Sequence, residues 1–216
     1  MKINVLNSTP SIINQFLAEI RDTGVQKDRL RFRKNMERIG EVMAYEISKV
    51  LDYQSETRDS PLAQTTSLEL VDSPYLICIL RASIPYFQGF LNYFDQSNSG
   101  FVGAYRKPTD GSEFDISLDY LAADDVSGKE VIIADPMLAT GKSLIDTIQL
   151  LKERGQPKHI HLASVIAAQE GVEFLKKQLG DEFTLWTAAL DPELNEHYYI
   201  VPGLGDAGDL AFGNKV

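Results

Sequence analysis

Four short, largely apolar strand candidates constrain the fold most. Tyr75–Leu80, Val131–Ala134, Ile160–Ala168 and Phe183–Leu190 are each bounded by turn residues and too short to be full helices. Most of the segments after them have helical spacing. Pro85 suits a first helical turn, and a helix is expected from there to about Phe94. Leu144, Ile145, Ile148 and Leu151 make one apolar face before Gly155, a natural helix stop, and Val172–Leu179 makes another helix. Buried strands alternating with helices of this length imply βαβ units. The expected fold is α/β, a mainly parallel sheet flanked by helices.

Ahead of these runs, residues 11–22 and 28–53 read as N-terminal helices. In the second, Leu30, Met36, Ile39, Met43, Ile47 and Val50 form a core stripe. The polar stretch Gln54–Thr66 reads as a loop. Gly100–Tyr105 is a further strand. Phe114, Ile116, Leu118 and Tyr120 alternate with polar residues, which implies a β-arm projecting from the sheet. There is no repeat or linker, so residues 1–216 read as a single domain.

Composition excludes several functions. With 31 acids against 21 bases the net charge is −10, which disfavours a general nucleic-acid binder. The basic run Lys27–Arg38 is interrupted by acids and reads as a solvated helix face. The one cysteine, Cys78, lies in an apolar run and reads as a small core residue. His159, His161 and His197 lack metal-ligand spacing, and no protein-held metal is expected. No signal peptide and no bilayer-spanning stretch is visible, which points to the cytoplasm.

In open α/β sheets, ligands sit outside the carboxyl ends of the strands. There the run VIIA delivers Asp135, and Pro136, Met137, Leu138, Ala139, Thr140, Gly141, Lys142 and Ser143 lead into a helix. Unpaired N–H groups at a helix start bind phosphate, and Gly141 lets the anion approach. Thr140 and Ser143 add hydroxyl donors. Asp135 makes sense beside a phosphate once a ribose is present, because a carboxylate accepts from its hydroxyls. Gly141-Lys142-Ser143 is also the ending of a Walker A loop, but that pattern needs glycine where Pro136 stands. A P-loop kinase is therefore disfavoured.

The strand–acid–loop–TG–helix order resembles the phosphoribosyl pyrophosphate (PRPP) loop of type I phosphoribosyltransferases. The wording DPMLATG resembles that of the uracil phosphoribosyltransferases. NEHYYIVPGLGDAGDLAFG (Asn195–Gly213) resembles the uracil-binding loop of the same family, ILRAS (Ile79–Ser83) its pyrophosphate loop, and AYR (Ala104–Arg106) its MYR. LAEIRD (Leu17–Asp22), RIGEVMAYE and AAQEG match further family segments, so the similarity covers nearly the whole chain. Departures are Ser83 for a usual glycine, Lys142 for a second glycine, Lys107-Pro108 for acidic residues, Gln169 for proline, and Leu210-Ala211 for a charged–apolar pair.

The resemblance implies transfer of phosphoribosyl from PRPP to uracil, giving UMP and pyrophosphate. Arg81, Arg106, Asp135 and Asp206 are the implied catalytic set. Residues 135–143 with Arg81, Arg106 and Asp206 would bind PRPP, and Ile200, Gly205, Asp206 and Ala207 would bind uracil. Mg²⁺ would be held mainly through PRPP. A homodimer or higher homo-oligomer is implied, and a GTP effector is left open. The alternative is a PRPP- or nucleotide-binding regulator with little catalysis.

Overall fold

The computed structural model describes residues 1–108, 114–180 and 182–214, without the side chains of residues 104–119. Its elements are, in chain order, β1 (Lys2–Val5), α1 (Ile12–Arg21), α2 (Arg29–Ser48), β2 (Tyr53–Asp59), β3 (Gln64–Leu70), β4 (Tyr75–Leu80), α3 (Ile84–Leu91), β5 (Ser99–Pro108), β6 (Phe114–Ala122), β7 (Glu130–Ala134), β8 (Met137–Leu138), α4 (Lys142–Lys152), β9 (His159–Ala168), α5 (Gln169–Leu179), β10 (Phe183–Asp191), β11 (Glu193–Leu194), β12 (Ile200–Val201) and α6 (Ala207–Phe212).

The main sheet has the order β1-β10-β9-β7-β4-β5-β6, with β8 also paired to β9. Every pairing is parallel except β5 with β6. The central strands β4 and β7 are apolar almost without interruption because both faces are covered. Alternate side chains divide between the two faces. Leu76, Cys78, Ile132 and Ala134 pack with α1, α2 and α3. Tyr75, Ile77, Ile79, Val131 and Ile133 pack with α4 and α5. Cys78 is fully buried, and burial pushes its thiol up to about 12. It is an inert core residue, as its setting in the sequence implies.

β5 pairs with β4 only from Ser99 to Gly103. Beyond that, Ala104–Pro108 pairs only with Phe114–Leu118 of β6, which extends the edge as a two-stranded arm. The turn between them, residues 109–113, lies outside the described residues.

Three expectations are corrected. α2 ends at Ser48, short of residue 53. Its core stripe is Phe32, Met36, Ile39, Met43 and Ile47, while Leu30 and Val50 stay exposed. The stretch Gln54–Thr66 is no simple loop, because β2 and β3 form an antiparallel hairpin, Tyr53↔Leu70 to Asp59↔Gln64. The hairpin has no buried face, so no apolar alternation announces it. Backbone pairing, a Ser60–Ala63 turn and the cross-strand Arg58–Glu69 ion pair hold it instead.

Glycine sets the approach of α2 to α3. A Cβ on Gly40 would lie 2.1 Å from the Tyr86 carbonyl oxygen, and one on Gly89 would lie 2.2 Å from that of Glu37. Backbone cannot yield as a side-chain end can. Gly89→Ala is expected to destabilise the fold by about 2 kcal/mol through overpacking, read as a lower midpoint in urea denaturation.

Candidate active site

One cavity opens at the carboxyl ends of β4 and β7. It is lined from three directions: by Arg81 after β4, by the loop after β7, and by the segment from Tyr198 to Gly208.

The loop after β7 is held rigidly. The Asp135 N–H donates to the Ala163 carbonyl at 3.0 Å. The Pro136 carbonyl accepts from the N–H groups of Val165 and Ile166 at 3.1 and 3.0 Å. Pro136 thus serves the ladder by its acceptor alone, and its missing N–H costs nothing there. β8 pairs with β9 at Ile166 and Ala167, a two-residue strand too short to be seen in the sequence. Gly141 caps α4 with φ +80°, a conformation that favours glycine. Thr140 Oγ1 faces the Lys142 N–H at 3.5 Å, the limit of a hydrogen bond.

Among the residues expected to bind PRPP, Arg81, Asp135, Met137, Leu138, Ala139, Thr140, Gly141, Ser143 and Asp206 line the cavity. Pro136 and Lys142 do not, and Lys142 is exposed. Arg106 lies on β5, three residues past Gly103, which pairs with Leu80 beside Arg81. Its side chain lies outside the described residues.

The Asp135 carboxyl is half-buried and accepts from the Met137 N–H at 3.3 Å. Desolvation outweighs that bond and pushes the carboxyl up to about 6. The group therefore changes charge near physiological pH, and hydroxyl donors from a ligand would stabilise its ionised form.

The expected uracil residues Ile200, Gly205, Asp206 and Ala207 all line the same cavity. Asn195 builds the turn leading to them, its Oδ1 accepting from the N–H groups of His197 and Tyr199 at 2.9 and 3.0 Å. The Glu170 side chain, in the first turn of α5, also accepts from the Leu194 N–H at 3.0 Å. The peptide bond Val201–Pro202 is cis. At Gly203, φ is +55° and a Cβ would lie 2.1 Å from the Ile200 carbonyl oxygen, so no side chain fits. Asp206 caps α6, accepting from the Asp209 N–H at 2.9 Å.

The strand rule points to the loop from Asp191 onward, but the contacts that hold this segment are not visible in the sequence. Asp191, at the end of β10, is 5% exposed. Its carboxylate takes a two-pronged ion pair from Arg21 of α1, at 2.9 and 2.7 Å. It also accepts from the Gly203 N–H at 2.9 Å, while Arg21 donates to the Gly203 carbonyl at 3.1 Å. The available signal was LAEIRD, which contains Arg21. Tyr198, Tyr199 and Gly208 also line the cavity without having been assigned to it.

The start of α4, the Asp135 carboxyl and the neighbouring Arg81 thus meet in one cavity of an α/β protein, a setting suited to an anionic ligand. Comparison with known proteins gives the family. A family profile described as uracil phosphoribosyltransferase matches residues 7–214. The uracil phosphoribosyltransferase of Porphyromonas gingivalis is 50% identical over 216 residues, covering 100% of both chains. That of Pyrococcus furiosus is 37% identical over 208 residues, covering 94% of this chain and 87% of its own. The solved structure of the AQ2163 protein from Aquifex aeolicus superposes with a TM-score of 0.87 at 26% identity, covering 99% of each chain. The chain belongs to the uracil phosphoribosyltransferase family.

Arg21→Ala would leave the Asp191 carboxylate buried and unpaired. The expected cost is about 3 kcal/mol, with faster amide exchange at Gly203 than at the β7 amides.

Proposed function

We propose that this protein transfers the 5-phosphoribosyl group of PRPP to N1 of uracil. The C1–oxygen bond to pyrophosphate breaks, the C1–N1 bond forms, and the N1 proton leaves, giving UMP and pyrophosphate. The observation that carries this reading is the meeting of the DPMLATG loop and the GLGDAG segment in one cavity beside Arg81.

Each role follows from the chemistry of its residue. The N–H groups of residues 139–143 and the hydroxyls of Thr140 and Ser143 bind the 5-phosphate. Ionised Asp135 accepts from the ribose hydroxyls. Arg81 and Arg106 take the pyrophosphate, where charge grows as the bond breaks. Gly205, Asp206, Ala207 and the Ile200 backbone present donors and acceptors to the uracil edge. Cytosine reverses part of that pattern and would leave them unpaired. Holding both substrates in line supplies much of the acceleration.

Mg²⁺ fits this site as a substrate-borne ion. Among the described residues no three His, Cys, Asp or Glu side chains gather as a cage, but Asp135 and Asp206 both line the cavity. Bound to the pyrophosphate oxygens, Mg²⁺ would neutralise charge on the leaving group. The reading extends to one domain over residues 1–216, a homodimer or larger assembly, and a cytoplasmic protein; GTP as an effector is left to assay.

Incubation with PRPP and Mg²⁺ is expected to yield UMP from uracil but no nucleotide from cytosine, hypoxanthine or orotate, with loss of product in Asp206→Ala. Folded protein that turns over none of these bases, with or without GTP, would refute the enzyme and favour a ligand-binding regulator.

The pH dependence has a definite sign. An acid whose folded pKa is raised holds its proton more tightly in the native state, so stability falls as pH rises from about 4 to about 6. PRPP needs the ionised form. The KM for PRPP is therefore expected to fall about tenfold between pH 5 and 7, in proportion to the ionised fraction, and to flatten in Asp135→Asn.

A further inference from the structure

Arg81 is anchored by the helix that follows the base-binding residues. Its Nη2 donates to the Asp209 carboxylate at 2.7 Å and to the Gly213 carbonyl at 2.9 Å. These partners lie at the two ends of α6. Arg81 Nε is buried with no hydrogen-bond partner, an unusual state for a charged group. The guanidinium lies so close to Gly208 that a Cβ there would be 3.4 Å from Nε and 3.7 Å from Nη2. Asp209 also donates its backbone N–H to Asp206 at 2.9 Å. One residue thus contacts Asp206 through its backbone and Arg81 through its carboxylate.

Two consequences follow from that geometry. The guanidinium is planar, so fixing Nη2 fixes the direction of its remaining N–H groups. With Nη2 engaged and Nε buried, Nη1 is the group left for a ligand in the cavity that Arg81 lines. The same link joins the phosphate side of the cavity to the base side, because α6 begins at Ala207 with Asp206 as its cap.

We propose that Asp209 is a positioning residue for transfer. Through its ion pair it holds Arg81 in the orientation that meets charge developing on the departing pyrophosphate, and it ties that orientation to the base-binding segment. This rests on the reading of Arg81 as a pyrophosphate ligand. Asp209 itself does not line the cavity. Its effect is expected in turnover and to pass through Arg81.

The test is a double-mutant cycle of Asp209→Asn and Arg81→Gln, with kcat and the uracil KM measured for each protein. Asp209→Asn is expected to lower kcat about tenfold in the parent background, a modest fraction of what loss of a direct transition-state donor costs. In the Arg81→Gln background the same change should lower kcat less than threefold. The uracil KM should move less than twofold throughout. Asp209→Glu, which keeps the charge, should recover more activity than Asp209→Asn. Equal falls in kcat in both backgrounds would show that Asp209 acts independently of Arg81 and would overturn the proposal. So would an unchanged kcat in Asp209→Asn, or a rise in uracil KM matching the fall in kcat, the mark of general damage to α6. Absence of UMP formation in the parent protein would instead sink the transferase reading. The cycle would then be read on pyrophosphate affinity by calorimetry, where additive effects overturn the pairing and non-additive effects sustain it.

Discussion

Asp191 is the point on which the Tyr198–Gly208 side of the cavity depends. A carboxylate this deeply buried is costly unless paired and hydrogen-bonded. Arg21 supplies the charge from α1, and the Gly203 N–H supplies a further donor from the loop. The three elements can therefore be satisfied only together. β10 places the acid, α1 brings the base, and the tight backbone at Gly203 closes the arrangement. Ile200 and residues 205–207 hang from that closure.

The opposite side of the cavity is built on different physics. There the loop after β7 is pinned by main-chain bonds to β9, through Pro136 and the short β8. Its amides need no side-chain clamp, since the sheet itself fixes them. Asp135 is then held where burial works against its charge. A ribose donating hydrogen bonds would relieve that cost, and its binding would complete an arrangement left unfinished. Arg81 stands between the two sides, attached to α6 and facing the cavity.

Much of this was legible in the sequence, for physical reasons. Strands covered on both faces are largely apolar, so the runs at 75–80, 131–134, 160–168 and 183–190 stand out. The rule for open α/β sheets then pointed to their carboxyl ends. The β2–β3 hairpin was illegible because neither face is buried and a polar strand has no period to detect. β8 and β12 were too short, and β1 gains its strand character from pairing with β10 rather than from its own residues. Leu30 and Val50 fit the α2 period but lie beyond the contact made by the core. The loop motifs revealed the cavity lining. The Asp191–Arg21–Gly203 and Asp209–Arg81 contacts were not visible, since each joins residues more than a hundred positions apart or depends on backbone geometry.

The central claim is that the loop after β7 and the segment before α6 hold a single ligand between them. Amide hydrogen exchange with and without UMP tests this most directly, because UMP carries both the phosphate and the base. Slower exchange is expected at residues 139–143 and at residues 205–208, with the same dependence on UMP concentration in both. Protection confined to one of the two segments, or two different concentration dependences, would contradict the account.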